Sequence, residues 1–190
     1  HFDRNHDFEL YLKKNGKLDR LQPLIELTKK VRFFYTRQSA PLGNGHALLC
    51  AREFCGNEAF AFSDGDSIID SQVPVIKQLL HVYHKKNASV IGVQRLDDSE
   101  EMTKYGNLYA SQTTDKKVYR VKKLVEKPDI KRVSPLGLIV GGMRYIFTPD
   151  IWKVLAKQKP GKGGEIWVAD AANALAKEKA FFAYEYEGKY

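Results

Sequence analysis

The spacing of hydrophobic and polar positions changes several times along this chain, and each spacing predicts a different element. Residues 1–30 carry helical spacing, with Phe8, Leu10 and Tyr11, then Leu21, Leu24, Ile25 and Leu27, interrupted at Asn15-Gly16 and Pro23. Residues 31–36 are aromatic and β-branched and predict a strand, with the run Phe33 to Tyr35 assigned to the core. A turn at 41–45 leads into a predicted helix over 46–54. Residues 59–63 form a short apolar strand that runs into Asp64-Gly65-Asp66. Ser71 has the chemistry of a cap for a long helix reaching residue 86. A further strand follows at 89–94, then an acidic loop at 97–101.

The second half is richer in strand patterns, at 106–111, 117–126 and 138–147. Pro149 sits where the first turn of a helix reaching residue 156 tolerates it. A loop at 160–164, a helix over 165–177 and a strand over 180–187 complete the pattern. Strands alternating with helices, followed by a strand-rich section, predict an α/β fold with a largely parallel sheet and antiparallel additions. With 190 residues, 43% hydrophobic and 28% charged, and no repeat or linker, the chain reads as a single domain over 1–190. No apolar run approaches the roughly 18 residues of a membrane span, so no membrane partner is expected. The chain starts at His1, not Met, and reads as an interior piece or a processed product.

The net charge is +8, and much of it is concentrated. Eight basic residues stand against three acidic ones between Asp115 and Arg132. Such a cluster suits phosphate-bearing partners, or it is a solvated strand face. Cys50 and Cys55 are too few for a disulfide framework and wrongly spaced for a zinc knuckle, so a cytoplasmic setting is expected.

Three segments fall at predicted strand ends, where open α/β sheets bind ligands. The first runs from Arg37-Gln38 through Pro41-Leu42-Gly43-Asn44-Gly45-His46. The Gln38 amide can read a base edge through a paired donor and acceptor, and Gly43 and Gly45 allow close backbone approach. An ordinary glycine turn has the same pattern. The second is Asp64-Gly65-Asp66, where a carboxylate can hold Mg²⁺ against phosphate oxygens, or simply cap the following helix. The third is Val125-Glu126-Lys127-Pro128: Glu126 can accept from sugar hydroxyls and Lys127 can meet a phosphate, or the two form a surface ion pair. His81 and His84 share a helix face without a third ligand nearby, and Trp152 and Trp167 read as core. There is no P-loop and no G-x-S-x-G elbow.

Taken in order, the chain resembles the sugar-1-phosphate nucleotidylyltransferase family, and within it the bacterial uridylyl branch. The matching stretches are His1-Phe2-Asp3, Arg37-Gln38 with Pro41-Leu42-Gly43 and Gly45-His46-Ala47, Gly65-Asp66 with Ile69-Asp70, Tyr105-Gly106, Val125-Glu126-Lys127-Pro128, Arg144-Tyr145 with Asp150-Ile151, and Gly164-Glu165-Ile166 with Asp170-Ala171. The resemblance implies a Rossmann-like nucleotidyltransferase fold, its mixed, mostly parallel sheet flanked by helices. It implies nucleotidyl transfer from UTP to glucose 1-phosphate, giving UDP-glucose and pyrophosphate, in a homo-oligomer. By carry-over, Gln38 and Gly43 contact uracil. Asp66 binds a Mg²⁺ cofactor, and Gly106 and Glu126 meet the sugar. Lys127 meets its phosphate, so Asp66 and Lys127 carry the catalysis.

A shifted register selects Asp64 as the metal ligand instead, and UTP and dTTP remain alternatives. The family also has a glycine-rich triphosphate loop before the position of His1, and a metal-ligand loop beyond Tyr190. The sequence as given is thus expected to be incomplete at both ends and inactive alone. The alternatives are a UDP-sugar-using glycosyltransferase, or a non-catalytic module binding a nucleotide sugar; nucleic acid is not an expected partner.

Overall fold

The computed structural model describes residues 5–190, so the His1-Phe2-Asp3 stretch lies outside the described residues. The chain divides into two compact units, one reaching to Arg37 and one spanning Gln38–Tyr190. In the smaller unit, helix α1 (His6–Lys14) starts at Asn5, whose Oδ1 accepts from the Phe8 N–H at 2.9 Å. Its first turn carries Asp7 and Glu9 and its last turn Lys13 and Lys14, the charge order a helix dipole favours. Pro23 does not interrupt a helix. It stands in the first turn of α2 (Gln22–Lys30), where a missing N–H costs nothing. Residues 31–36 belong to no strand, and Phe34 and Tyr35 are exposed rather than core. β-propensity needs a ladder to act on, and this segment joins none.

The larger unit begins with α3 (Asn44–Cys50) and α4 (Arg52–Cys55), the predicted helix over 46–54 being split at Ala51. Strand β1 (Phe60–Ser63) leads through the acidic loop to α5 (Val75–Lys86), which begins after Pro74 rather than at Ser71. Then follow β2 (Ser89–Arg95), α6 (Ser99–Met102), β3 (Gly106–Gln112) and β4 (Val118–Val125). The predicted strand over 138–147 is two strands, β5 (Leu138–Val140) and β6 (Arg144–Phe147). Between them the chain bends at Gly141-Gly142, with Gly142 at φ 63°. A Cβ on Gly142 would lie 2.9 Å from the Ile69 side chain. Helices α7 (Asp150–Lys157) and α8 (Val168–Glu178) and strand β7 (Phe181–Glu185) end the order.

One sheet contains all seven strands, in the order β1-β6-β2-β5-β3-β4-β7 with a further β2–β7 pairing. That pairing closes β2, β5, β3, β4 and β7 into a barrel-like ring. The expectation of a mostly parallel sheet is wrong. Among the described residues only the β2–β7 ladder is parallel; the other ladders are antiparallel. The reason is insertion. The β1–α5–β2 unit does make two parallel strands, but β6 pairs antiparallel with both and lies between them. Alternation of elements predicts direction, not adjacency.

The sheet is covered on both faces, as period-two burial requires. Tyr145, Phe147, Ile91 and Val93 pack on the side of α3, α7 and α8. Ile146 and Val90 face α5 through Val75, Leu79 and Val82. Trp152 lies in the first core, stacked on Phe60 at 4.7 Å, as expected of it. Part of the basic run is a strand: Arg120, Lys122 and Lys123 lie on β4, Lys122 and Lys123 exposed and the Arg120 guanidinium over the Phe182 ring, while Lys117, in the turn before β4, pairs with Glu187. No helix among the described residues is long and apolar enough to cross a membrane.

Candidate active site

The register of β3 on β4 builds the first part of the site. Asn107 pairs with Val125, so Gly106 stands opposite Glu126 as β4 ends. A Cβ on Gly106 would come within 3.0 Å of Glu126 Oε2 and 3.4 Å of a Leu124 methyl, so a side chain here would displace the carboxyl. Desolvation raises the Glu126 carboxyl above its ordinary range, and the neighbouring Lys127 charge partly opposes this. Lys127 has φ 41°, a left-handed conformation that costs a non-glycine residue about 1–2 kcal/mol. Pro128 follows it, and a proline ordinarily holds the preceding residue extended. The Lys127 N–H donates to the Tyr105 carbonyl at 3.2 Å across the bend, and Pro128 beyond it is buried. Strain of this kind gathers where a side chain must be aimed. These residues line a cleft of about 260 Å³ that also admits Asp64, Tyr145 and Trp167.

The raised carboxyl gives a pH prediction. The folded chain holds the Glu126 proton more tightly than the unfolded chain. Stability from this group is therefore full below the ordinary carboxylate range and falls as pH rises through the folded value. Replacing Glu126 by glutamine is expected to remove that decline, so the variant's melting temperature, followed from pH 4 to 8, falls less with pH than the wild type's. A steeper fall in the variant contradicts the assignment.

The acidic loop separates its two aspartates by environment. Antiparallel pairing of Ser63 with Arg144 brings the guanidinium beside Asp64, with Nη1 to Oδ1 at 2.8 Å. Arg144 also donates to the carbonyls of Gly142 and Ser67, and the Ser67 hydroxyl donates to the other Asp64 oxygen. Asp64 is thus charge-neutralised within the fold. Asp66 is exposed, and its carboxylate makes no hydrogen bond or ion pair among the described residues. It lies outside the cleft lining that includes Asp64. No group of three metal-ligating side chains converges among the described residues. A divalent cation at Asp66 would accordingly take most of its ligands from phosphates and water, the habit of Mg²⁺.

The loop that opens the larger unit is organised by its own side chains. Gln38 Nε2 donates to the Gly43 carbonyl at 3.0 Å and lies 2.9 Å from His46 Nδ1. The Gly43 carbonyl takes one amide hydrogen of Gln38, and His46 Nδ1 takes the other when that ring nitrogen carries no proton; the amide oxygen is left as an acceptor. Gly43 has φ 90°, and a Cβ there would meet the Ile166 carbonyl at 2.5 Å. Gly45 N–H donates to that carbonyl at 2.8 Å, and Ile166 N–H donates to Leu42. The glycines thus admit the 165–167 backbone. Gly43→Ala is expected to cost about 1–3 kcal/mol, the scale of overpacking a tight site, seen as a lower melting temperature without ligand. Unchanged stability with weakened nucleotide binding would instead assign Gly43 to ligand contact alone.

Three residues escaped sequence reading. Asn44 Oδ1 accepts from the Val168 N–H at 2.9 Å, anchoring the start of α8 from across the chain, so the helix begins at 168 rather than 165. Tyr145 belongs to a buried strand face, yet it lines the cleft. Burial pushes its phenol far up, with Glu126 and Asp64 adding to the effect, and keeps it a proton donor. Trp167, expected in the core, is 38% exposed and lines the cleft. The structure brings Gly106, Glu126 and Lys127 together; Gln38, Gly43 and Asp66 stand outside that lining.

The fold is a mixed sheet covered by helices on both faces, with a glycine-backed carboxylate and a lysine at the end of β4, in one cleft with Asp64 of the acidic loop. The sequence model described as nucleotidyl transferase matches residues 4–190, and the chain belongs to that family. It is 40% identical over 188 residues to UTP–glucose-1-phosphate uridylyltransferase 2 of Staphylococcus saprophyticus, covering 99% of this chain and 64% of that protein. It is 40% identical over 189 residues to UTP–glucose-1-phosphate uridylyltransferase of Bacillus subtilis, covering 100% and 63%. The chain thus spans just under two thirds of the curated relatives it matches. Among solved structures it matches UDP-glucose pyrophosphorylase complexed with UDP-glucose, with a TM-score of 0.84 at 35% identity over 99% of this chain and 67% of that one. UTP-bound UGPase from Acinetobacter baumannii matches with a TM-score of 0.79 at 27% identity, over 99% and 65%.

Proposed function

We propose that this chain forms the central part of an enzyme that transfers a uridylyl group from UTP to glucose 1-phosphate. A sugar-phosphate oxygen attacks the α-phosphorus, that phosphorus parts from the bridging oxygen, and pyrophosphate leaves in line. The observation that carries the reading is the grouping of Gly106, Glu126 and the strained Lys127 in one cleft. The bare backbone at Gly106 gives the sugar room. The Glu126 carboxylate accepts from its hydroxyls, and the Lys127 ammonium sits against its phosphate. Gln38 offers its amide oxygen to the N–H of the uracil ring, and Gly43 gives the base backbone to lie on.

Such a site works by positioning and charge stabilisation, since no enzyme nucleophile is needed. Mg²⁺ would be held by Asp66 and would neutralise charge on the nucleotide phosphates. The same reading places the protein in the cytoplasm, where Cys50 and Cys55 stay as free thiols, and in a homo-oligomer. The test is Mg²⁺-dependent pyrophosphate release from UTP by the native gene product. Release that requires glucose 1-phosphate supports the reading; none, with correctly folded protein, overturns it.

A further inference from the structure

A single hydrogen bond leaves a side-chain amide free to swing about it, so aiming the amide oxygen takes two. The Gln38 amide has two, and both of its partners belong to the start of α3. Gly43 caps that helix, and its carbonyl accepts from the Ala47 N–H at 3.1 Å as well as from Gln38 Nε2 at 3.0 Å. A carbonyl oxygen has two lone pairs and no proton, so the Gln38 atom that faces it is the nitrogen.

The same nitrogen lies 2.9 Å from His46 Nδ1. With one amide hydrogen on the Gly43 carbonyl, the other meets the ring. That contact is attractive when Nδ1 has the lone pair of a neutral imidazole whose proton is on Nε2. The Cys50 thiol, 3.7 Å from the same Nδ1, is a second and weaker donor toward it. The turn beneath is held in place, since the Gly45 N–H donates to the Ile166 carbonyl at 2.8 Å. Because an amide is planar, fixing both hydrogens fixes the oxygen on the opposite side. That oxygen has no hydrogen-bond partner among the described residues.

We infer that His46 is a positioning residue for base recognition: it locks Gln38 as an acceptor, so the site favours a pyrimidine whose N3 carries a hydrogen. The inference rests on the nucleotide reading above and deepens it. Uracil has a hydrogen on N3. Cytosine has a lone pair there, which the fixed oxygen would repel. Thymine has the same N–H as uracil, so this contact does not separate those two. Without His46 the amide keeps one of its two restraints, and a turned amide presents its NH₂ to cytosine N3 instead.

The experiment measures binding of UTP and CTP, which differ only in the base, to the native gene product with Mg²⁺ present. The wild type prefers UTP. His46→Leu lowers that preference about tenfold, equivalent to about 1.4 kcal/mol. His46→Asn keeps it within threefold of wild type, because its side-chain oxygen supplies an acceptor close to the place of Nδ1. In a Gln38→Leu background, His46→Leu changes the preference less than twofold, since there is no amide left to position. An equal loss of UTP and CTP affinity in His46→Leu overturns the inference, and is the result expected if Gln38 meets sugar or phosphate. An unchanged preference also overturns it, as does a His46→Asn variant no better than His46→Leu, or a further loss in the Gln38→Leu background. A wild type without preference for UTP overturns the inference, while pyrophosphate release from UTP by the same protein upholds the catalytic reading. A preference that depends on His46, without pyrophosphate release, sinks the catalytic reading alone.

Discussion

Replacing Lys127 by alanine is expected to lower turnover about 10²–10³-fold, the scale for removing one charge partner of a transition state. Its ammonium is the cation that the strand end aims at the cleft. The left-handed φ of 41° supplies a second variant that isolates this effect from folding. Glycine adopts that conformation freely, so Lys127→Gly relieves the strain, and its melting temperature is expected to stay level or rise. It nevertheless loses activity as fully as the alanine variant. Steady-state rates and thermal melts on both proteins make the check. A change in turnover below threefold removes Lys127 from the catalysis. A large fall in stability of the glycine variant refutes the strain.

The two aspartates of the acidic loop are expected to separate just as sharply. Asp66→Asn abolishes Mg²⁺-dependent turnover while leaving the melting temperature nearly unchanged, because the exposed carboxylate contributes nothing to packing. Asp64→Asn keeps most of the activity but lowers stability. It leaves Arg144, 15% exposed in its side chain, without its charge partner. A loss of about 1–3 kcal/mol is the ordinary consequence of leaving a partly buried partner unsatisfied. At this chain length each kcal/mol corresponds to about 2–4 °C in melting temperature. The reverse pattern assigns the metal to Asp64, which does line the cleft.

Much of the site was legible because its chemistry is local. Glu126-Lys127-Pro128 announces itself where a strand pattern stops at a proline, and Asp64-Gly65-Asp66 follows the short apolar run of β1. The strand boundaries there differ from the predicted ones by a residue or so, since two-residue periodicity is strong when one face is buried. The segment 138–147 is apolar on either side of Gly141-Gly142, and its division there fits the close approach of the Ile69 side chain, far away in sequence. Residues 31–36 mislead in the opposite way, having β-forming side chains and no ladder.

Which residues meet in the cleft was less legible. Trp167 has the composition of core, and its exposure depends on how Asn44, Gly45 and Gln158 hold the backbone around it. The neutralisation of Asp64 depends on Arg144, which reaches it only because β6 inserts beside β1. The contacts of the Gln38 amide with Gly43 and His46 depend on the fold of its own loop.

The amino-acid sequence by itself determined the element types, the alternation of strands and helices, and the residues at strand ends that carry charge or omit a side chain. Those properties follow from interactions between near neighbours and from burial of one face. Strand direction and adjacency, the closed ring, the distinct environments of Asp64 and Asp66, and the turning of Trp167 toward the cleft were decided only by the tertiary structure. Each depends on a contact between distant segments, whose partners no local pattern specifies.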